Sequence, residues 1–152
     1  MQLTLHADYA FRVLLYLASQ PPGSVVSTEE ISRSYGISRN HLVRVVQTLS
    51  DHGYVQVSPG RSGGVSLARD AHSIRLGDVM RSTEANLRLV ECFDAETNTC
   101  PIITICQLKT VFTEALSSFL SVLDRYTLAD LLNGRSRTGL ARVFAASTKR
   151  NM

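Results

Sequence analysis

The chain has 152 residues, of which 44% are hydrophobic, enough to bury the core of one compact domain or of a small domain with an extension. No apolar run approaches the roughly 18 residues of a membrane span, and Met1-Gln2-Leu3-Thr4-Leu5-His6 lacks the basic, apolar and small-residue regions of a signal peptide, so a cytoplasmic protein with no membrane partner is expected. The net charge of +3 is compatible with a polyanionic partner and is uneven: residues 135–152 carry Arg135, Arg137, Arg142, Lys149 and Arg150 and no acid.

Ala10, Val13, Leu14 and Leu17 follow a helical stripe and predict a first helix over residues 5–19, ended by Pro21-Pro22-Gly23. Ser27-Thr28-Glu29-Glu30 reads as a capping box, in which Ser27 accepts from a free backbone N–H and Glu30 reaches back to the cap residue. A short helix follows, stopped by Gly36 in a left-handed conformation. Ser38 caps the next helix, residues 39–52, whose buried stripe is Leu42, Val45, Val46 and Leu49; Gly53 closes it. The β-rich runs Tyr54-Val55-Gln56-Val57 and Val65-Ser66-Leu67, joined by Pro59-Gly60-Arg61-Ser62-Gly63-Gly64, predict a hairpin with a wide, glycine-rich tip. A short helix near residues 76–82 and a loop-like stretch over 84–105 come next. The longest helix, residues 106–123, carries the stripe Ile105, Leu108, Phe112, Ala115, Phe119 and Val122, with Val111, Leu116, Leu120 and Leu123 beside it. Two adjacent stripes suit two partners, the chain's own core and a second subunit; one wide core-facing stripe is the alternative. Residues 127–132 predict a last short helix, stopped by Asn133-Gly134.

Two short helices separated by Gly36-Ile37-Ser38 form a helix-turn-helix, with the second helix placed to enter a major groove. Its buried stripe leaves Arg39, Asn40, Val43, Arg44 and Gln47 on the opposite side. Arginine pairs two donors with guanine or phosphate, and asparagine or glutamine pairs with adenine. Ser38 offers a hydroxyl and backbone N–H groups to a phosphate. Thr28, heading the preceding helix, joins the DNA-contacting set. His41 either contacts DNA or packs at the helix edge. The hairpin supplies a wing: Arg61 and Ser62 at its tip meet a phosphate or the minor groove, and Gly63 and Gly64 let the backbone turn sharply and approach closely. The fold class is therefore mainly α with a small β-hairpin wing. A winged helix-turn-helix spans 1–83, a cysteine-bearing loop 84–107, a dimerisation helix and short end helix 106–132, and a basic tail 133–152. Gly60-Arg61-Ser62-Gly63-Gly64 also matches the hydrolase motif G-x-S-x-G, but that motif needs a strand before the serine and a helix after it. Here a second β-rich run follows, so an enzyme is not expected.

Cys92, Cys100 and Cys106 are spaced C-x7-C-x5-C. An odd, clustered set without a secretion signal argues against a disulfide framework. Zinc sites usually space ligands more tightly, as C-x2-4-C. Three thiolates on a loop suit an iron–sulfur cluster with a fourth ligand from elsewhere. Zinc, an oxidisable dithiol and free buried thiols remain open.

Several stretches together resemble the Rrf2 family of bacterial winged-helix regulators. They are Met1-Gln2-Leu3-Thr4 with Asp8-Tyr9, Gly36-Ile37-Ser38-Arg39-Asn40-His41-Leu42-Val43, Gly63-Gly64-Val65-Ser66-Leu67, and Ile74-Arg75-Leu76-Gly77-Asp78-Val79. Cys100 to Cys106 with Gln107-Leu108-Lys109, and Tyr126-Thr127-Leu128-Ala129-Asp130-Leu131, complete the set, which is most similar to the nitric-oxide-sensing branch. The resemblance implies a homodimer on palindromic operator DNA and a 4Fe-4S cluster held by Cys92, Cys100 and Cys106, with Asp8 of the partner subunit as fourth ligand. Read from spacing alone, Asp8 is a first-turn acid that pairs with Arg12 at i+4. The 2Fe-2S regulators of the family look to a histidine shortly after the third cysteine. No histidine follows His72 here, which favours the nitric-oxide branch; His6 is a substitute ligand to weigh.

The implied function is a repressor that binds DNA with its cluster intact and is released when nitric oxide attacks the cluster. The alternatives are an iron- or redox-sensing regulator of the same fold, a zinc-stabilised DNA-binding protein, and an electron-transfer subunit.

Overall fold

The computed structural model describes residues 2–60 and 63–150. Six helices and one hairpin follow in order: α1 (Leu5–Ser19), α2 (Thr28–Tyr35), α3 (Arg39–Asp51), β1 (Val55–Ser58), β2 (Gly64–Leu67), α4 (Leu76–Thr83), α5 (Gln107–Asp124) and α6 (Arg135–Arg150), with single 3-10 turns at Ala71–Ser73, Glu91–Phe93 and Ala129–Leu132. No helix among the described residues is long and apolar enough to cross a membrane.

The stripes of α1 and α3 form the core. Ala10, Val13, Leu14 and Leu17 pack with Leu42, Val45, Val46 and Leu49, together with Ile31, Val65, Ile74, Val79 and Leu128, and all are buried. Each large aliphatic side chain buried this way contributes about 1.5–3 kcal/mol of transfer free energy. Thr4 caps α1 by accepting from the Ala7 amide at 3.2 Å, while its own amide and hydroxyl both donate to Glu84 at 3.0 Å. The start of α1 is thereby tied to the end of α4.

Half of the expected capping box forms. Ser27 Oγ accepts from the Glu30 amide at 3.1 Å, but the Glu30 carboxylate turns inward and accepts from the Tyr16 hydroxyl at 2.9 Å. A buried phenol needs an acceptor more than an exposed cap amide does. Gly36 stops α2 at φ 65°, as expected.

The hairpin pairs Val55 with Leu67, Val57 with Val65 and Ser58 with Gly64. Val26 bridges the outer side of Val65 through bonds of 2.9 and 2.8 Å, so the wing is seated on the core by a third short segment. The sharp turn falls at Gly60, with φ 100°, rather than at Gly63 and Gly64. A Cβ at Gly63 would lie 2.2 Å from the Ser58 carbonyl oxygen, and one at Gly64 would lie 2.5 Å from that of Val26. These two glycines answer to the hairpin's own backbone.

The C-terminal segment differs from a solvated basic tail. Residues 135–150 form α6, and Phe144, only 5% exposed, lies 4.6 Å from the Tyr16 ring and 5.3 Å from the Tyr35 ring. Leu140 and Phe144 lie one helical turn apart, an apolar pair that the surrounding basic residues mask.

Helix α5 has no buried residue. Within the chain it packs mainly against α4. Arg81 holds Asp124 through two bonds of 2.7 Å, and Arg75 donates to the Asp124 carbonyl at 3.1 Å. Gly77 allows this approach, since a Cβ there would sit 1.8 Å from Asp124 Oδ1. Farther along, Phe112, Leu116 and Phe119 line one wall of a groove of about 370 Å³, and Leu3, Leu87 and Leu89 line the other.

Candidate DNA interface and cysteine loop

Arg39, Asn40, His41, Val43, Arg44 and Gln47 are all exposed on one side of α3, opposite its buried stripe. Ser38 occupies the cap position, and its side chain makes no capping bond. Among the described residues, neither Arg39 nor Arg44 enters an ion pair, so both guanidinium groups face solvent. Gln47 donates to Asp51 at 2.7 Å, which orients its amide along the helix. His41 is exposed yet lies 6.2 Å from the Tyr9 ring, and so packs at the helix edge. Thr28 heads α2 and is partly buried. Gly63 and Gly64 lie in the wing; Arg61 and Ser62 fall outside the described residues.

The metal-ligand candidates sit elsewhere. Cys92 lies in the 3-10 turn, Cys100 in the following loop, and Cys106 caps the N-terminus of α5. All three are free and partly buried. In kind they fit an iron–sulfur group: three unbridged thiols on one loop, partly shielded from solvent. Their present arrangement is not a closed site, because among the described residues no group of three or more His, Cys, Asp or Glu side chains is gathered to hold a metal ion.

Asp8 stands in the first turn of α1 and is paired with Arg12, at 2.7 Å through Nη2 and 3.1 Å through Nε. The Asp8 carboxylate favours the charged form of Arg12. The Arg12 guanidinium also lies over the rings of Tyr9 and Tyr35, and the Tyr35 hydroxyl donates to the Arg12 carbonyl at 3.1 Å. Burial pushes that hydroxyl up to about 12, so it remains a donor at neutral pH. His6 turns toward α3, with Nε2 3.1 Å from the Thr48 hydroxyl. This places it against the chain's own recognition helix.

Two features escaped the sequence. Glu84 anchors the cap of α1 across 80 residues, and Glu91 bonds Thr99 across the cysteine loop. Glu91 and Asp94 both titrate below the usual carboxylate range: Glu91 because it accepts from the Thr99 hydroxyl and amide, Asp94 chiefly because it accepts from the Thr97 hydroxyl and the Glu96 amide. Neither the Thr4–Glu84 nor the Glu91–Thr99 pairing has a sequence signal, since neither falls at the spacing of a helical turn.

A helix-turn-helix with a polar, solvent-facing recognition helix and a hairpin seated beside it defines a winged-helix DNA-binding protein. Residues 3–134 match the family model described as Rrf2, an iron-dependent transcriptional regulator. The chain belongs to the Rrf2 family and is a transcription regulator, not an enzyme. It is 45% identical over 135 residues to the HTH-type transcriptional regulator NsrR of Bacillus subtilis, covering 89% of this chain and 92% of that one. It is 48% identical over 132 residues to NsrR of Halalkalibacterium halodurans, covering 87% and 90%. Among solved structures, IscR of T. potens superposes with a TM-score of 0.69 at 26% identity, covering 87% of this chain and 86% of that one. The B. subtilis global cysteine regulator CymR gives 0.69 at 23% identity, covering 86% and 95%, and so shares the fold.

Proposed function

We propose that this chain is a cytoplasmic, homodimeric repressor of the NsrR type that binds palindromic operator DNA and releases it in response to nitric oxide. The observation that carries the reading is that the cysteine loop leads directly into α5, an apolar helix with no buried residue, while α3 presents its polar face to solvent. Similarity to the NsrR regulators supports nitric oxide as the signal. Cys92, Cys100 and Cys106 would hold a 4Fe-4S cluster, with Asp8 of the partner subunit as fourth ligand. When bound, such a cluster supplies iron that reacts with nitric oxide.

Within the chain, Cys106 is the cap residue of α5, so the position of its sulfur and the start of that helix move together. The loop bearing Cys92 and Cys100 follows Leu87 and Leu89, which lie in the groove against Phe112, Leu116 and Phe119. A shift of the loop would reshape this groove along α5. Two recognition helices must sit about 34–36 Å apart to enter successive major grooves. Paired α5 helices set that distance, and a few kcal/mol between competent and incompetent arrangements switches occupancy. Serving the partner subunit's site would set the metal in competition with Arg12 for the Asp8 carboxylate.

The test is anaerobic purification followed by absorbance, iron and sulfide analysis, then nitric-oxide titration of operator-bound protein. The expected result is a coloured dimer with the iron content of a 4Fe-4S cluster that leaves DNA as nitric oxide is added. A 2Fe-2S stoichiometry replaces the cluster type. A colourless zinc protein, or DNA binding indifferent to nitric oxide, overturns the reading.

A further inference from the structure

The segment between Cys92 and Cys100 is closed on itself. Glu91 Oε1 accepts from both the amide and the hydroxyl of Thr99, each at 2.7 Å. Cys92 directly follows Glu91 and Cys100 directly follows Thr99, so this bond forms a neck with one cysteine on each side. Inside the neck the chain is also organised. Asp94 accepts from the Glu96 amide at 3.1 Å and the Thr97 hydroxyl at 2.9 Å, and it pairs with Arg88. The Asn98 amide donates to the Asp94 carbonyl at 3.1 Å, and Asn98 Oδ1 accepts from the Cys100 amide at 3.2 Å.

An unorganised loop of this length would spread its ends over many separations, at an entropic cost to bringing them together. The neck removes that spread from the chain side. We propose that Glu91 and Thr99 are positioning residues that preset Cys92 and Cys100 as a pair, ready to share one inorganic ligand. This inference rests on the iron–sulfur reading for the identity of that ligand. Glu91 acts through the cysteines and is not itself a ligand. Cys100 borders the neck directly, whereas Cys106 is the cap residue of α5, so the third thiol arrives with the helix and not with the neck. The site is thus two-part: a prearranged pair and a single thiol whose approach reports the position of the helix.

The experiment uses the full chain in a Cys106→Ser background, metal-free and reduced, so that only Cys92 and Cys100 react. A short bis-maleimide is added, and the rate of intramolecular cross-linking is followed by mass spectrometry. Glu91→Ala should slow cross-linking about tenfold, because both bonds to a charged acceptor are lost. Glu91→Gln should recover most of the rate, since its amide oxygen accepts the same two donors. Thr99→Val, which keeps the amide bond, should fall between. Circular dichroism should stay unchanged, both side chains being exposed. With Cys106 restored, anaerobic reconstitution with ferrous iron and sulfide should be slower in Glu91→Ala. Its final absorbance spectrum should be that of wild type, because no ligand has been removed.

Cross-linking at the wild-type rate in Glu91→Ala overturns the proposal whatever the iron result. A changed final spectrum overturns it too, since Glu91 would then be a ligand. If wild-type protein takes up no iron, the iron–sulfur reading fails, while the cross-linking rates still decide whether the neck pairs the two thiols.

Discussion

Helices α1 and α5 carry the same kind of apolar stripe and use it differently. In α1, Ala10, Val13 and Leu14 are fully buried against α3. In α5, Leu108 is 56%, Val111 57% and Val122 43% exposed. Periodicity specifies that a face exists and where it lies on the helix. Whether that face is covered by the same chain is decided by topology: α5 meets the winged helix at α4 through its C-terminal end, and the chain re-enters the core only beyond it, at Leu128. An apolar face of this length left open on a single chain is what a second copy covers in the dimer proposed above.

The sharpest break of the comparison is in the core itself. Leu49→Ala on α3, at a fully buried site, should cost about 2–5 kcal/mol, measured by thermal or denaturant unfolding. The next largest effect should come from α5. Phe112→Glu combined with Phe119→Glu should weaken self-association at least a hundredfold, about 2.7 kcal/mol, with the helical signal retained. Light scattering over a dilution series reads this directly, and a dimer that survives both charges would return α5 to a role inside the single chain. Third, Arg44→Ala should weaken operator binding by about 1–3 kcal/mol without changing stability, because its side chain is exposed on α3. Equal affinity in fluorescence anisotropy at matched salt would remove it from the interface.

The smallest effect lies at the joint between the two regions. Arg81 holds the Asp124 carboxyl below its usual range. A depressed folded value means stability present above the ordinary carboxylate value, near pH 4, and lost as pH falls through the lowered one. Asp124→Asn should therefore flatten the acid limb of the melting curve, with the two proteins converging once pH falls below the lowered carboxyl value. Both partners are partly exposed, so the difference at neutral pH should be small.

Where local rules operate alone, the sequence was readable to within a residue. The bounds of α1 and the stripe of α3 follow from apolar spacing, and the end of α2 follows from Gly36. The misses share one cause. Glu30 satisfies the start of α2 on paper but is claimed by Tyr16, which comes from α1. The basic charges of residues 135–152 conceal Phe144, whose partners are more than a hundred residues away. Gly63 and Gly64 read as the site of the sharp turn, whereas the positive φ falls at Gly60 and these two are held close to Ser58, Pro59 and Val26. The three cysteines read as a candidate ligand set from their clustering alone, but the Glu91 to Thr99 bonds between two of them depend on a loop conformation that no periodicity encodes.

The attachment of α5 at Asp124 has a mechanical consequence. An 18-residue helix is about 27 Å long, and this one is gripped at one end by Arg75, Arg81 and the bare backbone of Gly77. It is a lever with its fulcrum at Asp124 and Cys106 at the far tip. Swinging it by about 5° carries the tip through about 2.4 Å, roughly the length of a single metal–sulfur bond. Read in reverse, seizing the tip to within one bond length holds the angle at the fulcrum to a few degrees. The joint itself can then be soft, because the stiffness is imposed from the other end.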